Sequence, residues 1–182
     1  VGDTGLVSSY ERRPDFAAVA TANVERFFGG PHPAWRLTVG DLVDSLAETE
    51  VDRVVLDMLA PWEYIEAMSK ALLPGGVLCC YVATTTQLAR TVEALREAGT
   101  FTEPAAWETM VRTWHVEGLA VRPDHRMIGH TGFLVTSRRL ADGVTAPPRR
   151  RRPARGAYGE DAGPEARAER DARAAHEPDP LP

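Results

Sequence analysis

The chain has 182 residues, a formal net charge of −5, 43% hydrophobic and 26% charged side chains. Such a length and composition predict one globular domain with a core of its own. They exclude a membrane-spanning helix, since no apolar run is long enough, and the opening VGDTGLVSSY has neither the basic nor the hydrophobic region of a secretory leader.

In chain order, strands and helices alternate. GLVSSYE (5–11) predicts a short strand, and apolar residues at helical spacing predict a helix from Pro14 to Phe28. WRLTVGD (35–41) is a second strand ending in an acid, and RVVLDM (53–58) a third. A helix carrying Trp62, Ile65, Met68 and Leu72 spans 61–73, and the turn LLPGG (72–76) stops it with Pro and Gly. VLCCYVA (77–83) is a continuous apolar run, as expected of a strand covered on both faces. TTQLARTVEALREAG (85–99) is an amphipathic helix ending at Gly99. RTWHVEGLAVRP (112–123) and HTGFLVTSRRL (130–140) read as an antiparallel pair of strands around a loop. The domain is expected to cover 1–143. Residues 144–182, rich in Pro, Arg and Ala with few large apolar side chains, predict a disordered tail, because so little burial cannot offset chain entropy.

Charge is distributed unevenly: −6 over residues 1–148, +5 in RRRRPAR (149–155) and −4 over 156–182. An acidic body is not a surface built wholly for nucleic acid, although a local basic patch is compatible with one. RRRRPAR could attach to RNA phosphates through charge alone, but such tails are usually solvated linkers. Cys79 and Cys80 are neighbours on one strand and point to opposite faces, so they make poor disulfide partners. They read as small core residues of a reduced, cytoplasmic protein.

Three successive strands end in acids: Glu11, Asp41 and Asp57. In a doubly wound sheet those ends share one edge, and ligands bind there. With the LLPGG turn and the closing hairpin, they point to the seven-stranded variant of the doubly wound fold used by S-adenosylmethionine-dependent methyltransferases.

Over residues 1–143 the chain resembles the tRNA (adenine-58-N1)-methyltransferases in their actinobacterial form. The likeness rests on SYERRPDFAAVATANV, WRLTVGDL, DRVVLDMLAPWE, LLPGGVLCCYVATTTQLARTVEALR and FTEPAAWETMVRTWHVEGLAVRPDHRMIGHTGFLVTSRRLADG. LDMLAPWE and RPDHRMIGHTGFL are its specific parts. The resemblance implies an α/β, Rossmann-like class I methyltransferase fold with S-adenosyl-L-methionine as cofactor and tRNA as partner. It implies a homotetramer. Family members begin with a small β-rich domain, then a strand and an E-x-G-x-G-S-G loop that cradles the methionine end of the cofactor. VGDTG corresponds only to the turn after that loop, so the first, central strand between those carrying Glu11 and Asp57 is expected to be missing. A carboxy-terminal fragment is the expectation.

Each candidate residue also has a plainer role. Glu11 stands where a Rossmann-like fold puts an acid on the cofactor ribose, since a carboxylate accepts from two hydroxyls at once; otherwise it is a solvated acid pairing with Arg12 or Arg13. By resemblance Asp41 faces the adenine amine and Leu42 packs on the ring, while Asp41 could equally cap a helix opening at Leu42. Asp57 is the expected catalytic group and also a cofactor-side candidate. Methylation at N1 of adenine requires the base to leave its stack. It then requires in-line placement and stabilisation of positive charge on the ring, and a carboxylate accepting from the 6-amino group does both. As a helix cap Asp57 fails on spacing, because Ala60 directly precedes Pro61. Pro61 and Trp62 shape a pocket wall or the core, and Thr84 and Gln87 line the site or cap a helix. Arg122, His125, Arg126 and His130 are candidates for tRNA contact, each histidine alone being as easily a turn residue. The two histidines lack zinc spacing and a nearby cysteine, which argues against a metal. The functional expectation is methyl transfer to N1 of adenine-58 in the tRNA T-loop, impaired in a truncated chain. The alternative is a non-catalytic tRNA-binding or assembly subunit. A nicotinamide-dependent oxidoreductase also uses an acid after its second strand, but it explains neither LDMLAPWE nor the closing hairpin.

Overall fold

The computed structural model describes residues 1–2 and 4–147, and the architecture below is that of the unit Val1–Ala146. From residue 148 on, the expected tail lies outside the described residues.

The first strand, β1 (Val7–Glu11), leads into α1 (Pro14–Phe28). Pro14 at the first helical position needs no amide partner, and Gly29 ends the helix at φ 77°, a left-handed conformation open to glycine. β2 (Trp35–Val39) pairs parallel with β1, in register from Val7 opposite Trp35 to Glu11 opposite Val39. Trp35 Nε1 donates to Ser9 Oγ at 2.9 Å across the pair. A single-turn helix, α2 (Leu42–Ser45), follows, and its Leu42, with Leu46 just beyond it, packs against the main core.

β3 (Val51–Asp57) pairs parallel with β4 (Leu72–Val82), Asp57 lying opposite Tyr81 as the last rung. Between them the chain makes a 3-10 turn (Pro61–Tyr64) and α3 (Ile65–Ala71). α4 (Thr85–Ala98) opens with a capping box: Gln87 N donates to Thr84 Oγ1 while the Gln87 side chain reaches back to the cap backbone. It ends at Gly99, φ 64°. β5 (Ala105–Trp107), β6 (Trp114–Glu117), β7 (Ala120–Pro123) and β8 (Phe133–Arg138) complete the set. The sheets are β1–β2, the four-stranded β3–β4–β8–β5 and the hairpin β6–β7. Only β3–β4 is parallel in the four-stranded sheet. Among the described residues no pairing joins β1 to β3, and the sheet is interrupted where the sequence reading expects a central strand to be missing.

The core is Leu56, Ile65, Met68, Leu72, Leu78, Cys80, Leu95, Phe101 and Val135, contributed by β3, α3, β4, α4 and β8, with Phe101 from the connection between α4 and β5. β4 alternates: Leu78, Cys80 and Val82 are sealed, whereas Val77, Cys79 and Tyr81 are half-buried. Both cysteines are free, on opposite faces as expected, and burial pushes the Cys80 thiol up to about 12. Among the described residues no helix is long and apolar enough to cross a membrane.

Four sequence expectations are corrected. β4 is paired on both edges but sealed on one face only, because α3 and α4 pack there while Val55 of the adjoining strand is 70% exposed on the other. LLPGG does not stand apart as a turn. Leu72 already pairs with Val51, and Gly75 N and Gly76 O are bonded to Arg139, so the segment is absorbed into β4. Third, the helix expected over 61–73 is a 3-10 turn followed by a helix that ends at Ala71. Finally, 112–123 does not pair with 130–140. It folds on itself about Gly118-Leu119, with Gly118 at φ 53°, the glycine-first two-residue loop that suits a hairpin's twist. β8 instead pairs with β4 and with β5, which the sequence reading missed.

Leu78, fully buried at the centre of the core, carries the test of this packing. Leu78→Ala should lower unfolding free energy by about 2–5 kcal/mol in urea denaturation; a loss below about 1 kcal/mol would mean the β4 face is not packed as described.

Candidate active site at the carboxyl edge of the sheet

Parallel strands deliver their carboxyl ends to the same side, so the ends of β3 and β4 lie together and those of β1 and β2 likewise. Glu11, half-buried, accepts the backbone amide of Arg13 through Oε1 at 2.8 Å. It forms no ion pair with Arg12 or Arg13: the Arg13 guanidinium pairs with Asp15 and lies over the Phe16 ring. Its backbone carbonyl accepts from Gly40 N at 3.0 Å, which brings the turn holding Asp41 beside it. Asp41 does cap α2, accepting from Val43 N at 3.1 Å. Leu42, half-buried, rests against the main core.

Asp57 differs from both. It is exposed at the end of β3, and among the described residues its carboxylate has no hydrogen-bonding or ionic partner. Nor does it cap the following turn, where Ala60 holds the cap position with no side-chain bond. The turn from Pro61 to Tyr64 links this acid to the other sheet. Burial raises the pKa of the Tyr64 hydroxyl, the neighbouring Asp41 and Glu63 carboxylates add to this, and the Arg12 guanidinium opposes it. Tyr64 therefore sits among charged groups from the connections that follow β2 and β1 and from its own turn.

Pro61 is buried and Trp62 half-buried. The Arg90 guanidinium lies 4.1 Å from the centre of the Trp62 ring, and Trp62 Nε1 is a buried donor without a partner among the described residues. Thr84 takes its plainer role as a cap. Gln87 does more: its Oε1 accepts from Ala83 N at 3.1 Å and Thr84 N at 3.0 Å, while Nε2 donates to Leu59 O at 2.9 Å.

Of the four candidates for tRNA contact, only His130 is hydrogen-bonded to this edge among the described residues. Its Nε2 is 3.0 Å from Ala83 O and its Nδ1 3.2 Å from Glu108 Oε2, with the ring against Phe133. Both partners are acceptors, so the imidazolium, with a proton on each ring nitrogen, is the form that satisfies both contacts. Its pKa is raised, first by the Ala83 carbonyl and then by Glu108. Arg122 is exposed on β7 opposite His115, and His125 and Arg126 are exposed in the segment after it. Beside His130, the Tyr81 hydroxyl donates to Thr131 O at 2.6 Å, and a Cβ on Gly132 would fall 2.3 Å from the Tyr81 ring, which is why glycine stands there. Sequence reasoning missed Tyr64 and Glu108. Nothing in their local patterns marks them, since each meets its partner across the fold.

Residues 40–122 match the family described as tRNA methyltransferase complex GCD14 subunit. The chain is 37% identical over 140 residues to the tRNA (adenine(58)-N(1))-methyltransferase TrmI of Thermus thermophilus, covering 76% of this chain and 54% of that one. It is 32% identical over 163 residues to the TrmI of Methanocaldococcus jannaschii, named for adenine-57 and adenine-58, covering 76% and 57%. Over 76% of its length the chain is thus similar to the TrmI methyltransferases. It spans about half the length of the TrmI relatives it matches. Among solved structures, an S-adenosylmethionine-dependent O-methyltransferase of Thermotoga maritima superposes with a TM-score of 0.71 at 29% identity, over 84% of this chain and 54% of that one. The TrmI of Aquifex aeolicus, at 22% identity, shares the fold with a TM-score of 0.66 over 75% and 54%. The α/β architecture is thus part of the Rossmann-like methyltransferase fold.

The His130 clasp makes stability pH-dependent. Because the folded pKa is raised, its contribution is fully present below the ordinary histidine value, about 6.5, and is lost as pH rises through the folded pKa. In an NMR titration the His130 ring should titrate above that ordinary value, and Glu108→Gln should move it down; a ring titrating at or below it would remove the doubly bonded imidazolium.

Proposed function

We propose that this chain is the substrate-facing part of an enzyme that transfers a methyl group from S-adenosylmethionine to N1 of adenine-58 in tRNA. The observation carrying this reading is Asp57: an exposed carboxylate at the carboxyl end of a parallel strand, spent on neither a cap nor an ion pair among the described residues. The TrmI relatives, named for that reaction, support it.

The cofactor fits in part. Glu11 keeps Oε2 for a ribose hydroxyl while Arg13 N holds Oε1, and Asp41 and Leu42 close the adenine side. No E-x-G-x-G-S-G stretch occurs in the 182 residues, so the methionine end finds no glycine cradle here. When bound, S-adenosylmethionine supplies an electrophilic methyl group on sulfonium. No general base is then needed, because adenine N1 attacks with its own lone pair. Asp57 accepts a hydrogen bond from the 6-amino group, which orients the flipped base and offsets the positive charge that grows on the ring. Pro61 and Trp62 form the wall beside it. The exposed side chains of Arg122, His125 and Arg126, with His130, meet the tRNA backbone near the flipped base.

Two measurements test this. Asp57→Ala should lower kcat/KM for methyl transfer to a tRNA transcript by about 2–4 kcal/mol, roughly thirty- to a thousandfold. A wild-type chain inactive even with its amino-terminal half supplied would instead favour a non-catalytic tRNA-binding subunit. Calorimetric titration of the chain alone with S-adenosylmethionine should give no micromolar binding, and adding a separately expressed amino-terminal half that carries the glycine loop should restore it. Micromolar binding by the chain alone would overturn the division of the site between the two halves.

A further inference from the structure

Past the Asp57–Tyr81 rung the β3–β4 ladder stops, and the two strands leave in different directions, one into the Pro61 turn and the other into α4. A single side-chain amide spans the gap. Gln87 Oε1 receives the amides of Ala83 and Thr84 and the Thr84 hydroxyl at 3.0–3.1 Å, and its Nε2 gives a 2.9 Å bond to Leu59 O. The orientation is unambiguous: turned over, the amide would set its NH2 against two backbone N–H donors and leave Leu59 O facing an oxygen. Leu59 is itself exposed, so its side chain does not anchor the loop. Between the last rung at Asp57 and buried Pro61, Leu59 of the three-residue loop is tied to α4 by this bond, while Met58 rests against the core and Ala60 O accepts from Glu63 N at 3.2 Å within the turn that follows.

We infer that Gln87 is a positioning residue for the Asp57–Pro61 loop, acting as a side-chain rung that fixes the end of β3 to the start of α4, and that the orientation of Asp57 toward its substrate depends on it. The inference rests on the methyl-transfer reading for its consequence, but not for the tether itself. The same amide also completes the α4 capping box, so a helix-capping role has to be separated from a loop-holding one.

Gln87→Glu separates them. A carboxylate still accepts from Ala83 N and Thr84 N, and glutamate is favoured at this position of a capping box and near a helix N-terminus. It cannot donate to Leu59 O and sets a negative oxygen against it. If Gln87 only caps the helix, the variant should match wild type in every respect. If it holds the loop, the melting temperature and the amide protection of residues 85–92 should be kept, while hydrogen exchange at 58–62 quickens. With S-adenosylmethionine, tRNA transcript and the amino-terminal half supplied, kcat should fall by about ten- to a hundredfold with KM for tRNA little changed. Unchanged exchange at 58–62 overturns the tether. Quickened exchange with undiminished kcat in an active enzyme overturns the positioning role while leaving the methyltransferase reading intact. Should the wild type transfer no methyl group, that reading falls and exchange alone decides the tether.

Discussion

The organising constraint is the pairing of β4 on both of its edges, parallel to β3 and antiparallel to β8. Double pairing satisfies the backbone of the most buried strand, and Leu78, Cys80 and Val82 on its covered face then draw α3 and α4 down upon it. Parallel pairing has a second consequence. It sets the carboxyl ends of β3 and β4 level, so an acid at the end of one strand and a helix N-terminus after the other arrive together. The antiparallel return of β8 brings the segment just before it, His130 to Gly132, to that same edge.

What lies beyond the last rung is held by side chains. Glu108, after β5, engages His130; His130 engages the carbonyl of Ala83; the Ala83 amide engages Gln87; and Gln87 engages Leu59. These bonds run from the β5 side of the sheet to the loop beside Asp57, across strands whose backbones no longer pair. Backbone groups in loops must find partners as surely as those in strands, and here the partners are long polar side chains. The arrangement leaves one acid out. Glu11 and Asp41 each spend an oxygen on a backbone amide, whereas Asp57 spends none among the described residues. A carboxylate held in place but left without a partner can put its full acceptor capacity into a substrate.

Much of this was legible beforehand. The strands ending at Glu11 and Asp57, the helix over 14–28, the capped helix after residue 84 and the apolar run at 77–83 follow from local periodicity and punctuation, whereas the second strand stops at Val39 and leaves Asp41 as a cap. Spacing alone ruled out Asp57 as a cap, because Pro61 fixes the cap position at Ala60. The errors share a cause. Residues 112–123 and 130–140 are both strand-like, and only long-range pairing decides which strand meets which. Gly118 at the head of EGLA was the local sign of a hairpin closing on itself. Ala105–Trp107 is too short to carry a period, so it becomes a strand only because β8 is there to pair with it.

By itself, the sequence determined the bounds of α1 and the capped start and glycine stop of α4, because glycine, proline and capping chemistry act within a few residues of chain. It also carried the likeness to the tRNA methyltransferases, since LDMLAPWE and its neighbours hold that likeness in their order. The tertiary structure alone decided that Tyr64 lies among Asp41, Glu63 and Arg12, that Glu108 and Ala83 each set an acceptor oxygen against a ring nitrogen of His130, and that Gln87 bridges to Leu59. Each of these contacts except the neighbouring Tyr64–Glu63 pair joins groups more than twenty residues apart. A hydrogen bond or charge contact of that kind depends on position in space to within an ångström, and only the packed sheet supplies it.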